Sequence, residues 1–338
     1  MMKLRAQIKS TLDRFDALIA SALLPAGAEQ PGILTFVFHG LFASEQEAQS
    51  GVVDPQQTIT VALFREFIAY FRERHYQFIS ESDLEKSALA AGKYIFITFD
   101  DGYRNNLRAL PILEEFQVPA VFCFCSNHIR QQKCFWWDAL FREMKKRGKS
   151  DDAIHAAGAK YKRFTNAEIE LLLKEQFGES VLKPVSDMDR PLTTTELRGF
   201  AVHPMVTIGN HTADHGILTN YGPSEVREQI AAAQRDLLGI TGRVPRVIAY
   251  PNGNHSAAVR LAAQELGLLV GLTLEKGKNR FPLQPGIAMM AMKRFTLWAS
   301  VPVETQCLIS RSDVSIQAAM SELKHCWREL TVSGAASS

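Results

Sequence analysis

The 338-residue chain has few cysteines, and its five are neither even in number nor regularly spaced. This pattern excludes a disulfide framework and favours a reducing compartment. Charge of one sign is not in excess either, since 38 basic and 36 acidic residues leave a net charge of +2. No cluster of Lys and Arg with interleaved aromatic residues is present, which argues against nucleic-acid binding. Apolar residues make up 46% of the chain, enough for a large core.

Long hydrophobic runs are also missing, and no stretch approaches the roughly 20 apolar residues of a transmembrane helix. The N-terminus does not resemble a signal peptide, because charged residues such as Arg5, Lys9 and Asp13 interrupt it. Apolar residues recur there at helical spacing from Leu4 to Ile19, which predicts an amphipathic helix. We expect this helix to pack onto the domain, with contact to a membrane surface as the alternative. The predicted location is cytoplasmic, with or without that peripheral membrane contact.

Strand-like apolar runs alternate with helical stretches along the chain, which predicts an α/β protein with parallel strand pairing. Seven or so strand candidates favour a (β/α) barrel over an open sheet, and barrels carry functional residues where their strands end. We expect an N-terminal helix and linker over 1–30 and a barrel over 31–300, with a helical insertion at about 135–200. The remaining residues, 301–338, are predicted to form a helix at about 312–330 and a loose tail.

One strand candidate, Tyr94–Phe99, ends abruptly in Asp100, Asp101 and Gly102. Two adjacent carboxylates are costly to hold close together, because like charges resist joint ionisation. A metal ion removes that conflict by taking one carboxylate as a ligand and leaving the other free to act as a base. Considered alone, the motif is equally compatible with an Asp-Asp-Gly turn between a strand and a helix.

A second polar motif, Gly209–His215, follows another strand candidate. Its two histidines, His211 and His215, are four residues apart and would face the same way on a helical turn. Together with Asp101 they would supply three protein ligands and leave positions open for water and substrate, as catalytic zinc sites require. One carboxylate and two imidazoles suit zinc but also accept cobalt, iron or nickel. The alternative is a pair of surface histidines, which becomes less attractive beside the Asp-Asp-Gly motif.

The segments Thr98–Tyr103 and His211–His215 resemble the first two motifs of the polysaccharide deacetylases, the carbohydrate esterase family 4 group that includes chitin and peptidoglycan deacetylases. The resemblance extends from about His39 to Thr296. It also includes three flanking segments, Ala109–Leu113, Phe135–Asp138 and Ala249–Gly253. The resemblance implies a distorted (β/α)7 barrel that binds a divalent metal, usually zinc.

The same resemblance implies a role for each matched residue. Asp101, His211 and His215 would bind the metal, and Asp100 would be the general base that takes a proton from the attacking water. A backbone N–H that maps onto Asn252 would donate to the tetrahedral oxyanion. Further oxyanion or substrate contacts are predicted for three aromatic residues, Tyr250, Tyr103 and Trp136. For Trp136 and its neighbour Trp137, core packing is the alternative to sugar stacking.

Two family motifs are altered in this chain. The usual Arg-x-Pro-Tyr is replaced by Ala249-Tyr250-Pro251-Asn252, so the arginine that pairs with the base is absent. Arg294 is the predicted replacement, and a solvated strand-end arginine is the alternative.

The late Leu-x-His motif, whose histidine is the general acid, is not recognisable. We predict that His39, at the end of the first strand candidate, contacts substrate or donates the proton; burial with backbone partners is the alternative. His255 is a weaker candidate for the acid. Asp214 is a predicted partner that orients a ligating histidine.

The sequence thus predicts a metal-dependent hydrolase that removes an N-acyl group, most plausibly acetyl, from an amino sugar during the biosynthesis of a surface polysaccharide. The partner would be an N-acylated amino sugar or glycan, free, nucleotide-linked, lipid-linked or polymeric. A sugar N-deformylase and an amidase acting on a small nitrogenous ring are alternatives within the same chemistry. A carbohydrate-binding protein with an impaired site is an alternative of another class, although the retained Asp100 argues against it.

Overall fold

The structure is a computed structural model that describes residues 2–27, 29–85, 89–283 and 286–316. Most of the helix expected at about 312–330, and the whole tail after it, lie outside these described residues. The described strands, numbered along the chain, are β1 Gly32–Phe38, β2 Gln77–Phe78, β3 Lys93–Phe99, β4 Ala120–Phe124, β5 Val206–Asn210, β6 Val247–Ala249, β7 Val270–Leu272, β8 Asn279–Arg280 and β9 Phe295–Thr296.

The strands form one curled sheet in which β7, β6, β5, β4, β3 and β1 are neighbours in that order, all parallel. Strand β9 pairs in parallel with the end of β1, and Met292 just before it forms a parallel bridge with Leu272 of β7. The segment 292–296 therefore lies between the two ends of the sheet. This arrangement confirms the predicted distorted (β/α) barrel. The two remaining short strands, β2 and β8, add to the N-terminal ends of β3 and β1.

Helices connect these strands. They are α1 Met2–Leu23, α2 Glu45–Ala48, α3 Val61–Glu73, α4 Glu81–Glu85, α5 Leu110–Phe116, α6 Ser126–Gln131, α7 Trp136–Lys146, α8 Asp151–Tyr161, α9 Asn166–Phe177, α10 Thr194–Ala201, α11 Pro223–Thr241, α12 Ala257–Glu265 and α13 Val303–Arg311. Within the described residues, none of these helices combines the length and the apolar character that crossing a membrane requires. Four of them, α7 to α10, occupy the region between β4 and β5 that was predicted as a helical insertion; the division of the chain into domains stays a prediction.

Apolar packing in the core holds β1 in the sheet beside β3. Every residue of β1 is buried, and alternate aromatic side chains pack onto α3. The ring of Phe36 lies 4.7 Å from that of Phe67, and the ring of Phe38 lies 5.0 Å from that of Phe64. Burying such side chains contributes about 1.5–3 kcal/mol each. Because apolar packing specifies the strands, the polar residues that follow them are left at the carboxyl edge of the barrel.

The sequence predicts a helix from Pro223 to Leu238 that Gly239 stops, and a last strand over 289–297; both boundaries are wrong. The helix α11 continues through Gly239 and ends at Gly242, whose φ of 71° places it in the left-handed conformation that favours glycine at this position. The strand expected over 289–297 is reduced to Phe295–Thr296, preceded by 3-10 turns over Gly286–Ala291. The chain here changes partner from β7 to β1, so it cannot form one continuous ladder with either strand.

Candidate active site

The Asp-Asp-Gly motif forms a tight turn at the end of β3. Asp100 continues the sheet, because its N–H donates to the carbonyl of Phe38 at 2.9 Å. Asp101 has a φ of 73°, and the N–H of Gly102 donates back to the Asp100 carbonyl, which defines a γ-turn. Gly102 has a φ of 83°, and a Cβ at this position would lie 2.3 Å from the ring of Phe124. The turn therefore requires glycine and directs the two carboxylates to different partners.

The first carboxylate, that of Asp100, is paired with Arg294. Both side chains are buried, and the guanidinium donates two parallel hydrogen bonds of 2.9 and 2.8 Å to the two carboxylate oxygens. A third hydrogen bond runs from Arg294 Nε to the carbonyl of Thr273 at 2.7 Å, which orients the fork. Burial opposes ionisation of Asp100, but the charge and hydrogen bonds of Arg294, together with the nearby histidines, lower the pKa of the carboxyl overall. The sequence-predicted partner of the base is thus in contact with it.

The second carboxylate, that of Asp101, lies beside both histidines of the second motif. Its Oδ1 is 3.3 Å from His211 Nε2 and 3.4 Å from His215 Nε2. One potential ligand atom from each residue lies within 4.8 Å of the others. Asp101 is 1% exposed, yet neither of its oxygens accepts a hydrogen bond from any described residue. Buried carboxylate oxygens are normally paired, so this carboxylate fits a bound cation.

The backbone that carries His211 and His215 differs from the helical turn that the sequence predicts. Residues 211–215 do not form a helical turn, since Thr212 and His215 have positive φ values of 65° and 56°. The turn is stabilised by side chains: the N–H of Thr212 donates to Asn210 Oδ1, and Thr212 Oγ1 accepts from the N–H of Gly216. Such local hydrogen bonds compete with helix formation. The two imidazoles nevertheless converge on Asp101.

The protonation of His211 and His215 is set by their surroundings. His211 Nδ1 is 2.7 Å from the carbonyl of Ala249, so this nitrogen carries the proton and Nε2 presents its lone pair to Asp101. Burial lowers the pKa of His215 to about 3, an effect increased by the neighbouring His211. A neutral imidazole is the form that binds metal. A donor set of one carboxylate and two neutral imidazoles suits zinc or a similar divalent ion.

His39 lies near these groups and is oriented by Gln57, a residue that the sequence analysis did not identify. His39 Nδ1 is 2.7 Å from Gln57 Oε1, while Gln57 Nε2 donates to the carbonyls of Val37 and Leu297. Because the amide nitrogen is used as a donor, Gln57 Oε1 must accept the proton of His39 Nδ1. His39 Nε2 is then the nitrogen left for the cleft. The polar loop after β1 was the available signal, but it did not single out Gln57.

A cleft of about 260 Å³ joins these groups to solvent. Its base carries the two aspartates, the two histidines of the second motif and His39. One wall comes from the insertion, where Ile154, His155, Gly158 and Lys162 follow one side of α8. The sequence analysis missed this wall, although the spacing of these four residues places them on a single helix face.

The two adjacent tryptophans of the insertion, Trp136 and Trp137, have different surroundings. Trp136 borders the cleft but is only 4% exposed and packs with Tyr161 inside the insertion. Trp137 is less buried, and its ring centre lies 4.5 Å from that of His215. Tyr103, predicted as a substrate contact, is 4% exposed and does not line the cleft; its hydroxyl donates to Asp138 and accepts from Trp137 Nε1. Its hydroxyl therefore contacts the start of the insertion and not the cleft.

The prediction that Tyr250, in the segment after β6, contacts substrate is also wrong. Tyr250 is fully buried, and its hydroxyl donates to the carbonyl of Met290, so its side chain is not a substrate contact. Tight apolar packing on this side of β6 leaves it no route to the cleft. Asn252 lines the cleft with a φ of 57°, a conformation that asparagine tolerates better than most residues. His255 does not line the cleft and lies 3.4 Å from Glu275 instead.

Asp214 does not orient either ligating histidine. Its carboxylate accepts hydrogen bonds from Asn127 and Gln229 and forms an ion pair with Lys133. The positive φ values of the turn direct Asp214 outward, and the carbonyl of Ala249 has the role that was predicted for Asp214.

Comparisons with known proteins agree with this fold. IcaB from Ammonifex degensii has a similar structure, with a TM-score of 0.57 and 15% sequence identity, covering 83% of this chain and 98% of that one. Streptococcus pyogenes deacetylase PplD in complex with acetate gives a TM-score of 0.55 and 16% identity, covering 83% and 99%. A de-N-acetylase from Aggregatibacter actinomycetemcomitans gives 0.57 and 14%, covering 82% and 99%.

At the level of sequence, no curated protein gives a significant match. The family model described as Polysaccharide deacetylase, however, matches residues 89–180 and 189–271, more than half of the chain. The match includes the Asp-Asp-Gly turn, both histidines of the second motif and Asn252. The chain therefore belongs to the polysaccharide deacetylase family.

Proposed function

We propose that this protein is a metal-dependent deacetylase that removes the acetyl group of an N-acetylated amino sugar or glycan during the assembly of a surface polysaccharide. The observation that supports it most is the separation of two adjacent carboxylates, with Asp101 beside two histidines and Asp100 paired with Arg294. Asp101, His211 and His215 would hold the metal. When bound, such an ion acts as a Lewis acid toward the acyl carbonyl.

Asp100 has the properties of the general base. Arg294 keeps its carboxylate ionised, and Asp100 lines the same cleft as the three potential ligands. It would take a proton from a water molecule as the oxygen of that water bonds to the acyl carbon. The N–H of Asn252, a residue that also lines the cleft, would stabilise negative charge on the carbonyl oxygen.

His39 would complete the reaction. The C–N bond breaks only when the departing nitrogen receives a proton, because an amide anion is a poor leaving group. With Nδ1–H donated to Gln57, the proton for the amine would come from Nε2 of the imidazolium form. The products are acetate and the free amino sugar.

Two further points belong to this proposal. An acetyl group is favoured over formyl because two of the structurally similar proteins are a deacetylase holding acetate and a de-N-acetylase. We place the enzyme in the cytoplasm because its four described cysteines are buried and unpaired, as in reducing compartments.

The experiment combines metal analysis with product release. Wild-type protein should contain about one divalent ion per chain and release acetate from N-acetylglucosamine oligomers. Asp100→Asn should retain the metal but release acetate at least about 100-fold more slowly, and Asp152→Asn on the surface of α8 should behave as wild type. Equal release by Asp100→Asn and wild type would exclude Asp100 as the base. Release of formate alone from N-formylated sugars would indicate a deformylase, and sugar binding without release would indicate a binding protein.

A further inference from the structure

A lysine of the insertion reaches across the mouth of the cleft. Lys162 is the residue that follows α8, and its Nζ donates a hydrogen bond of 2.7 Å to Oδ1 of Asn252. Both residues line the cleft that contains Asp100 and Asp101. Lys162 is thus held beside the loop that would bind the reacting carbonyl, although it belongs to a different part of the chain.

The charge of this lysine is not neutralised by a direct ion pair. Its hydrogen bond goes to a neutral amide, and no carboxylate oxygen of the described residues lies within ion-pair distance of Nζ. Burial lowers the pKa of Lys162, and the carboxylate of Asp54 on the opposite wall counteracts this only at a distance. Asp54 itself accepts a hydrogen bond from the N–H of Gln56 in its own turn. Lys162 is exposed as a residue, and an ammonium that donates to a neutral amide gains energy when an anion replaces that acceptor.

A second potential cation lies on the same side of α8. His155 precedes Lys162 by seven residues, close to two helical turns, and also lines the cleft. Its Nδ1 is 2.8 Å from the carbonyl of Asp151, so a protonated ring would direct its remaining N–H away from the helix backbone. Lys160, by contrast, borders an apolar groove on another side of the helix. The helix therefore presents Lys162 and His155, but not Lys160, to the cleft.

We propose that Lys162, assisted by His155, binds an anionic substituent of the substrate, a phosphate or a carboxylate carried close to the acetamido sugar. This inference rests on the proposed deacetylase function and specifies its substrate class. A lysine suits the purpose, because its compact charge on a flexible stem can exchange the Asn252 amide for an anion without rearranging the barrel. Lys162 is then a specificity residue, and the groups at Asp100 and Asp101 are not altered by it.

Kinetic measurements on three substrates test this proposal. They are N-acetylglucosamine 1-phosphate, the neutral methyl glycoside of N-acetylglucosamine, and a disaccharide of N-acetylglucosamine and glucuronic acid. Lys162→Met should lower kcat/KM for at least one anionic substrate about 10-fold more than it lowers kcat/KM for the neutral glycoside, mainly through KM. Lys162→Arg should restore most of the loss. Lys160→Met, which removes the same charge from another side of α8, is the matched control.

Binding measurements keep the two proposals distinguishable. Calorimetry on metal-loaded Asp100→Asn should show tighter binding of an anionic ligand than of the neutral glycoside, and that preference should disappear in the double variant with Lys162→Met. Preference for the phosphate or the uronate identifies the anion. Equal binding of charged and neutral ligands, or equal loss in Lys160→Met, would overturn the role of Lys162. Anion-selective binding without any acetate release would instead contradict the proposed deacetylation and leave the binding role standing.

Discussion

Arg294 is the residue whose position most affects the chemistry of Asp100. It comes from the segment between β7 and β9, nearly two hundred residues away along the chain, yet both nitrogens of its fork meet both carboxylate oxygens. The family pattern has an arginine at the position of Ala249, whereas in this chain the guanidinium comes from Arg294. In both arrangements a buried cation would lie beside this carboxylate, although a different segment of the chain carries it.

Removing this arginine should be costly. Arg294→Met leaves Asp100 buried without a counter-charge, so we expect the free energy of unfolding to fall by about 3–5 kcal/mol. Acetate release should fall as well, because the carboxylate would take up a proton more readily and lose its action as a base. Urea unfolding of the metal-free protein measures the first effect.

The neighbouring Lys293 gives the matched control. Its side chain is exposed, so Lys293→Met should change the free energy of unfolding by no more than about 0.5 kcal/mol. If Arg294→Met were as stable as Lys293→Met, the buried ion pair would not have the importance that its geometry indicates.

At the scale of elements, the start of α7 forms an aromatic column against the histidine turn. The rings of His128, Phe135 and Trp137 stack in sequence, with centres 4.2 and 4.6 Å apart, and Trp137 meets His215 nearly edge-on. His215 Nδ1 has no hydrogen-bond partner among the described residues. Ring packing, supported by the hydrogen bond from Trp137 to Tyr103, is therefore what orients this imidazole.

Shortening Trp137 should weaken metal binding more than it weakens the fold. In Trp137→Ala the His215 ring gains rotational freedom, and we expect affinity for zinc to fall by about 10-fold, at the lower end of effects seen for groups that orient metal ligands. Trp137→Phe should retain most of the affinity, since it keeps a ring in the column. Competition with a chromogenic chelator measures the change.

An exposed aromatic residue of the same insertion provides the comparison. Phe164 is 41% exposed, and Phe164→Ala should leave zinc affinity unchanged. Unaltered affinity in Trp137→Ala would show that His215 is oriented by its own backbone turn and does not depend on the insertion.

For the molecule as a whole, a buried carboxylate joins the segment before β1 to the end of α13, at the amino-terminal ends of β1 and β3. Glu29, just before β1, accepts hydrogen bonds from Arg311 at the end of α13 at 3.0 and 3.1 Å. It also pairs with Lys93 at 2.7 Å and contacts the hydroxyl of Tyr76. The carboxylate of Glu29 therefore connects its own segment with three others that are distant in sequence, and it does not line the candidate active site.

This network predicts how stability depends on pH. Burial opposes ionisation of Glu29, but the hydrogen bonds from Arg311 and Lys93 lower its pKa to about 2, below the ordinary value of 4.5. A group with a lowered pKa in the folded state stabilises the protein above its unfolded pKa and loses that effect as pH falls. Glu29→Gln should therefore reduce the free energy of unfolding by about 2 kcal/mol at pH 7, and the difference should shrink between pH 4.5 and 2.

Urea unfolding at several pH values checks this, with Glu115→Gln as the control. The Arg65–Glu115 pair is about half exposed on both sides, so its loss should cost less than about 0.5 kcal/mol at any pH. A pH-independent difference between Glu29→Gln and wild type would show that Glu29 stabilises the fold without its charge.

The sequence alone was sufficient for the features that depend on contiguous residues. The alternation of strands and helices and the turn at 100–102 follow from local preference and periodicity, and the Asp and His residues of the candidate metal site stand in two short motifs. The tertiary structure decided which distant groups meet: His39 with Gln57, Lys162 with Asn252, and His215 with Trp137. It also showed that Tyr250 and Tyr103 turn away from the cleft. Such pairings depend on how the sheet curls and how the insertion packs, and a barrel brings together strand ends whose separation along the chain carries no information about their distance in space.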